Sequence, residues 1–265
     1  MTGDASMIPP RLHVLTARDG AGALILRRGP SRWVATIGWD RDSDTFQPGQ
    51  WFHGRIFEHR SDLSPDGRHL VTFAGKGGTR WWTAVSRAPW LTAIALFPQD
   101  STWGGGGAFP APGVVWLNGA EGADALPAGE LRLAPADAFP HSTDGFHMGP
   151  TQVAVMQTRG WRLLRGESYD TVLARDLPDG GRIELSFALG ARNRAIISNR
   201  YAVIGPDETR TETGWEWADI WRGRLQYAER GALWEMEIGA PPRLVRDFTD
   251  MTPERRRAPY AGVTA

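Results

Sequence analysis

The sequence predicts an all-β protein, a β-propeller of five four-stranded antiparallel blades, and three observations carry that expectation. A unit of glycine turn, short apolar strand, second turn and further strand recurs along the chain. Its strands alternate apolar and polar side chains, and helical periodicity is scarce.

The unit is clearest in ARDGAGALILRRGPSRWVATIG, SPDGRHLVTFAGKGGTRWWTAVS, LPDGGRIELSFALGARNRAIIS and WRGRLQYAERGALWEMEIG, with a weaker copy in PAPGVVWLNG. Its turns carry Asp-Gly, Pro-Gly or Gly-Gly, which supply the positive φ of tight hairpins. The first-turn glycines are Gly20, Gly67, Gly113, Gly180 and Gly223, at spacings of 47, 46, 67 and 43 residues. Propeller blades recur at about 40–50 residues, so the long gap implies an insertion of about 20. The Ala-, Pro- and Gly-rich stretch 119–150, between the third and fourth units, is where it belongs.

Alternation places Ile183, Leu185 and Phe187 on one side of a strand, and Trp234, Met236 and Ile238 on one side of another. The last unit reads as a complete blade: Trp215 to Ile220 innermost, then Arg224 to Ala228, Ala232 to Ile238, and Arg243 to Asp247 at the edge. A polar segment, 1–12, precedes a single domain spanning 13–265, because no linker or charge block divides the chain. The tail DMTPERRRAPYAG and the start, Met1 to Arg11, read as surface segments that latch the ring.

Thirty basic and thirty acidic residues give zero formal net charge, which argues against nucleic acid and anionic membranes as partners. The absence of cysteine excludes disulfides, thiolate metal sites and thiol nucleophiles, and fits a cytoplasmic location. The start, MTGDASMIPPRLHV, lacks the pattern of a secretory signal, and the apolar run from Leu91 to Phe97 is far short of a membrane span. No cofactor or resident metal is expected.

The run SDLSPDGRHLVTFAG resembles the inner turn and second strand of TolB-like and WD40-like propellers, and Trp39-Asp40 supplies one WD dipeptide without a Gly-His partner. The stretch from Gly54 to Phe109, together with LVRDFTDMTPE, is similar to an uncharacterised bacterial family. What the propeller resemblance implies is an interaction platform for a protein, peptide, glycan or other small molecule.

Candidate chemistry is sparse. Asp62, Asp176 and Asp219 each precede a first turn, so inner strands could bring three carboxylates together as the acid, base or nucleophile of a carbohydrate hydrolase. The alternative is that each accepts hydrogen bonds between blades. Four successive glycines, Gly104, Gly105, Gly106 and Gly107, follow Trp103. They read as an inner strand packed closely at the axis or as a backbone-lined ligand floor; a phosphate loop is disfavoured because neither Gly-Lys-Ser/Thr nor a helix follows.

His141, Asp144 and His147 could ligate a metal but read better as a solvated loop, and His53 and His59 read as hydrogen-bonded histidines near a channel mouth. No Gly-x-Ser-x-Gly elbow occurs. Thirteen tryptophans fill gaps between sheets or offer flat surfaces at a mouth. The expected function is therefore non-catalytic binding at the channel mouth through Trp51, His53, Arg60, Trp103, the four glycines and Trp217.

Overall fold

A computed structural model describes residues 8–29, 31–119, 125–140, 149–166, 170–189 and 197–262. Among these residues the strands form five sheets, antiparallel except for one parallel pair, and repeated four-stranded sheets fit a propeller-like architecture. Sheet 1 contains β1 (Arg11–Thr16), β2 (Gly22–Arg28), β3 (Trp33–Asp40) and β4 (Thr45–His53). Sheet 2 contains β5 (Arg55–Leu63), β6 (His69–Lys76), β7 (Arg80–Arg87) and β8 (Ala93–Gln99). Sheet 3 pairs β9 (Gly107–Ala111) with β10 (Val114–Leu117), and β11 (Arg132–Leu133) joins β10 in parallel.

The helix α1 (Gly149–Thr158) leads into sheet 4, which runs β12 (Arg162–Arg165), β13 (Val172–Asp176), β14 (Arg182–Leu189), β15 (Ile197–Ile204) and β16 (Arg210–Glu212). Sheet 5 contains β17 (Trp217–Trp221), β18 (Arg224–Glu229), β19 (Ala232–Met236) and β20 (Arg243–Asp247). All five first-turn glycines fall in the expected hairpins. Gly67, Gly113, Gly180 and Gly223 adopt φ between +67° and +88°, where an L side chain is strained.

The strands bury both faces, and the two faces serve different neighbours. In β2, Leu24 and Leu26 pack with Ile56, Leu63 and Leu70 of sheet 2, while Ala23 and Ile25 pack with Trp217, Leu233 and Phe248 of the sheet 5 region. That is why GALILRR reads as a nearly continuous apolar run. Sheets 2 and 3 share Val71, Val85, Phe97, Phe109, Val115 and Leu117. Ile183, Leu185 and Phe187 meet Trp234, Met236 and Ile238 in one cluster between sheets 4 and 5, so the two sequence alternations describe facing sides of one seam.

Part of the stretch read as an insertion contributes to the core. Leu131, Ala134 and Phe139, within the stretch expected to be inserted, are core residues, 5–7% exposed. Phe139 and the helix residue Val155 pack on Trp116 of sheet 3, while Val153 and Met156 pack on Trp161 and Leu173 of the sheet 4 region. The helix thus fills the space between sheets 3 and 4, a role invisible in a ten-residue segment whose apolar residues face two partners. It is too short to cross a membrane, and no helix among the described residues is long and apolar enough to do so.

The innermost strand of the last unit is also shorter than expected. It begins at Trp217, and Trp215 before it lies flat on Tyr227 at 4.5 Å between ring centroids. The tail is a strap: Phe248 is buried in the sheet 1 and 5 seam, Arg256 accepts a hydrogen bond from Gln50 Nε2 at 3.0 Å, and the Tyr260 hydroxyl donates to Thr92 O at 2.7 Å.

Candidate functional site

Of the three aspartates, Asp62 and Asp219 are buried in ion pairs between sheets, and Asp176 stands at the surface. Asp62 is 3% exposed, accepts backbone N–H groups from Leu63 and Phe109 at 2.9 and 2.8 Å, and is ion-paired to Arg159 just after α1. It thereby ties sheets 2 and 3 to the helix. Asp219, 4% exposed, pairs with Arg41 at 3.0 Å and with Arg175 of sheet 4. Behind it, Arg41 Nε donates to Gln226 Oε1 at 2.8 Å, and Gln226 Nε2 donates to Glu235 Oε2 at 2.8 Å. Asp176 is elsewhere, its side chain 73% exposed beside Arg162. Repetition at the same place in the unit reflects tying between sheets for two of them and nothing shared for the third.

The glycine run is a packing device. Arg60 spreads its guanidinium beneath it, donating to Thr102 O and Gly104 O at 2.8 and 2.9 Å and to Trp103 O at 3.0 Å. A Cβ on Gly106, at φ +87°, would stand 2.5 Å from Arg60 O. Close approach of two backbones therefore requires glycine there. Only Gly107 of the four belongs to a strand, which corrects the expectation that all form one. With carbonyls turned toward Arg60, the segment offers acceptors, which suits neither a phosphate nor a carboxylate.

Of the other residues expected at a channel mouth, Trp217 borders the small cavity where the first strands meet, and Trp51 and His53 lie apart from it. Trp51 and His53 are on β4, at the far edge of sheet 1, where Arg27 stands over Trp51 at 5.3 Å and His53 packs on Trp33 at 4.8 Å. Trp217 is 5% exposed and meets Trp39 edge-on in the core. Trp103, 55% exposed, stays beside Arg60. His141, Asp144 and His147 lie outside the described residues.

Where the first strands meet, His13, His59, Gln152, Asn199, Tyr201 and Trp217 border a cavity of about 40 Å³. A water occupies about 30 Å³ of liquid, so this space suits solvent rather than an organic ligand. His59 Nε2 lies 3.1 Å from Asn199 Oδ1, an acceptor, so Nε2 carries the proton. His13 meets His59 edge-on at 5.2 Å, and burial pushes the His13 pKa down to about 3. Its neutral form stabilises the fold above pH 6.5, and that contribution is lost as pH falls toward 3.

Glu216 acts with the opposite sign. It accepts the Leu12 N–H at 2.8 Å across the seam between sheets 5 and 1, and burial raises its pKa to about 7 despite that bond and nearby Arg11. A carboxyl raised from 4.5 contributes stability that is complete below pH 4.5 and is lost as pH rises through 7. Glu216→Gln keeps an acceptor for Leu12 and removes the titration. Between pH 5 and pH 8 the variant is expected to gain about 2–3 kcal/mol over wild type in urea unfolding. Parallel pH profiles would refute this.

A cleft between sheets 1 and 2 was not legible in the sequence. It measures about 700 Å³ and lies between the β2–β3 hairpin end of sheet 1 and the β6–β7 hairpin end of sheet 2, opposite the Asp-Gly turns. Arg11, Arg28, Arg32 and Arg55 line it, with Trp81, Val34 and a glycine-rich backbone, and no carboxylate is among its described lining residues. Arg28 is held by Glu58 at 2.5 Å; burial pushes that carboxyl up, but Arg28 and the neighbouring histidines outweigh it and hold the pKa near 2. Arg55 lies over Phe57 at 4.4 Å, its Nε is buried without a hydrogen-bond partner among the described residues, and burial and the adjacent Arg28 and Arg11 lower its pKa.

Arg11, Arg32 and Arg55 have no ion pair among the described residues, and Lys76 and Arg80 pair across the glycine turn that ends β6. Such a group of cations, short of counter-charge, is a site for an anion. The four arginines are 44 residues apart at the extremes, and only strand pairing and the meeting of two sheets bring them together. No protein-family model matches the chain, and no curated protein matches it.

Proposed function

We propose that the five sheets are the blades of a five-bladed β-propeller, and that the protein is a non-catalytic binding module whose ligand is an anion held in the arginine-lined cleft between the first two blades. The propeller reading, with its kinship to TolB-like and WD40-like propellers, rests on the repeated hairpins and the two-sided burial of strands such as β2. A cytoplasmic location belongs to the same reading.

The observation that carries the binding function is the cleft of about 700 Å³ with four arginines and no carboxylate among its described lining residues. Its volume lies in the range of small-molecule pockets, about 300–1,000 Å³. Binding at this cleft replaces binding at a central mouth, where the described cavity holds only solvent-sized space.

Calorimetric titration with inorganic tripolyphosphate tests the reading. Binding is expected at about 50 mM salt and is expected to weaken at about 200 mM, as screening shortens the reach of each charge. Arg32→Gln and Arg55→Gln should each weaken it about tenfold or more, since a charge-assisted hydrogen bond contributes about 1.5–3 kcal/mol. Arg68→Gln, in the turn at the opposite end of sheet 2, should leave it unchanged. No binding at either salt concentration, or equal affinity in all three variants, would overturn the reading.

A further inference from the structure

We infer that the cleft takes a nucleoside polyphosphate, its phosphates on the arginines and its base against the Trp81 side, an inference that rests on the anion-binding reading above. Charge, wall chemistry and backbone access support it.

The charge calls for more than one negative group. Four guanidiniums line the space, and Glu58, paired to Arg28, offsets one of them. A single carboxylate is satisfied by one bidentate arginine, whereas a chain of phosphates presents enough oxygens and charge for several.

The wall beside the arginines is apolar. Trp81 and Val34 line it, and Ile8, 68% exposed, and Pro9 stand on the same cleft. Trp81 is fixed rather than loose: it packs at 5.8 Å from Phe57 and 6.4 Å from Phe73, and its ring occupies the place where a side chain on Gly75 would stand. A flat apolar group stacks on an indole at low entropic cost, and base–aromatic stacking contributes about 1–3 kcal/mol.

The third feature is backbone access. Gly29, Gly77 and Gly78 have open space where a Cβ would point, so a ligand can approach the two hairpin ends without a side chain intervening. A half-open cleft of about 700 Å³ between two hairpin ends fits a compact molecule better than an extended nucleic acid strand or a folded partner.

The experiment compares adenosine triphosphate, inorganic tripolyphosphate and adenosine by calorimetry, with saturation-transfer NMR on the base protons. The expected result is that the nucleotide binds about tenfold or more tightly than tripolyphosphate, that adenosine alone binds far more weakly, and that the base protons receive saturation from the protein. Trp81→Leu should remove the tenfold increment and keep tripolyphosphate affinity, while Arg32→Gln, at an exposed position, should weaken both ligands. If Trp81→Leu fails to fold, saturation transfer to the wild-type complex still decides the base contact.

Equal affinity for nucleotide and tripolyphosphate without base saturation would overturn this inference and leave the anion site standing. Failure of both phosphate ligands would overturn the two together. Binding of a sulfated polysaccharide, a single-stranded oligonucleotide or an acidic peptide in preference to the nucleotide would also overturn it.

Discussion

Asp219→Ala is expected to destabilise the protein by about 3–5 kcal/mol, because it leaves buried positive charge without its partner. The Arg41 side chain is only 2% exposed and sits 3.0 Å from the Asp219 carboxylate. Arg175 converges on the same carboxylate from sheet 4, so one deletion loosens sheets 1, 4 and 5 from one another. For a chain of this size the corresponding fall in melting temperature is on the order of 10 °C. Replacing the pair with apolar residues, as in Arg41→Met with Asp219→Leu, should recover much of the loss, since well-packed apolar groups avoid the desolvation penalty of buried charge. Urea and thermal unfolding of the single and double variants measure this directly. A loss below about 1 kcal/mol for Asp219→Ala would mean that water reaches Arg41 and that the seam is not sealed.

Asp62→Ala should cost a comparable amount, about 3–5 kcal/mol, for a related reason. Here the carboxylate serves two backbone N–H groups as well as an arginine, and truncation leaves Leu63 N, Phe109 N and Arg159 without their acceptor. Arg159 also donates through Nε to Thr16 O at 3.0 Å, so the same side chain ties the end of α1 to sheet 1 and sheet 2. Asp176→Ala is the internal contrast. Its side chain is 73% exposed and, among the described residues, bonded only to Arg162, so the expected change is within about 0.5 kcal/mol. Equal effects at the three positions would contradict the distinct environments the structure assigns them.

The aspartates show how far sequence reasoning reached. Their equivalent places before a first turn were visible, and so was the choice between convergence and support between sheets. What decided it was the arginine partners, and Arg41, Arg159 and Arg175 sit 178, 97 and 44 residues from the aspartates they neutralise. No local pattern encodes such a pairing. The glycine run was legible in the same partial way: its need for close packing follows from composition, but the Arg60 backbone that it packs against is set by the approach of β5 to β9.

The sequence by itself determined the all-β class, the hairpins and their glycine turns, and the alternation that sends side chains to two faces, because these depend on φ preference and on the period of two along a strand. Tertiary structure alone decided that α1 fills the space between sheets 3 and 4, that residues 131–139 supply core, and that Arg11, Arg28, Arg32 and Arg55 share one cleft. Those outcomes depend on which faces meet when separate sheets pack. That meeting is governed by shape, buried area and charge pairing over the whole molecule rather than by residues adjacent in the chain.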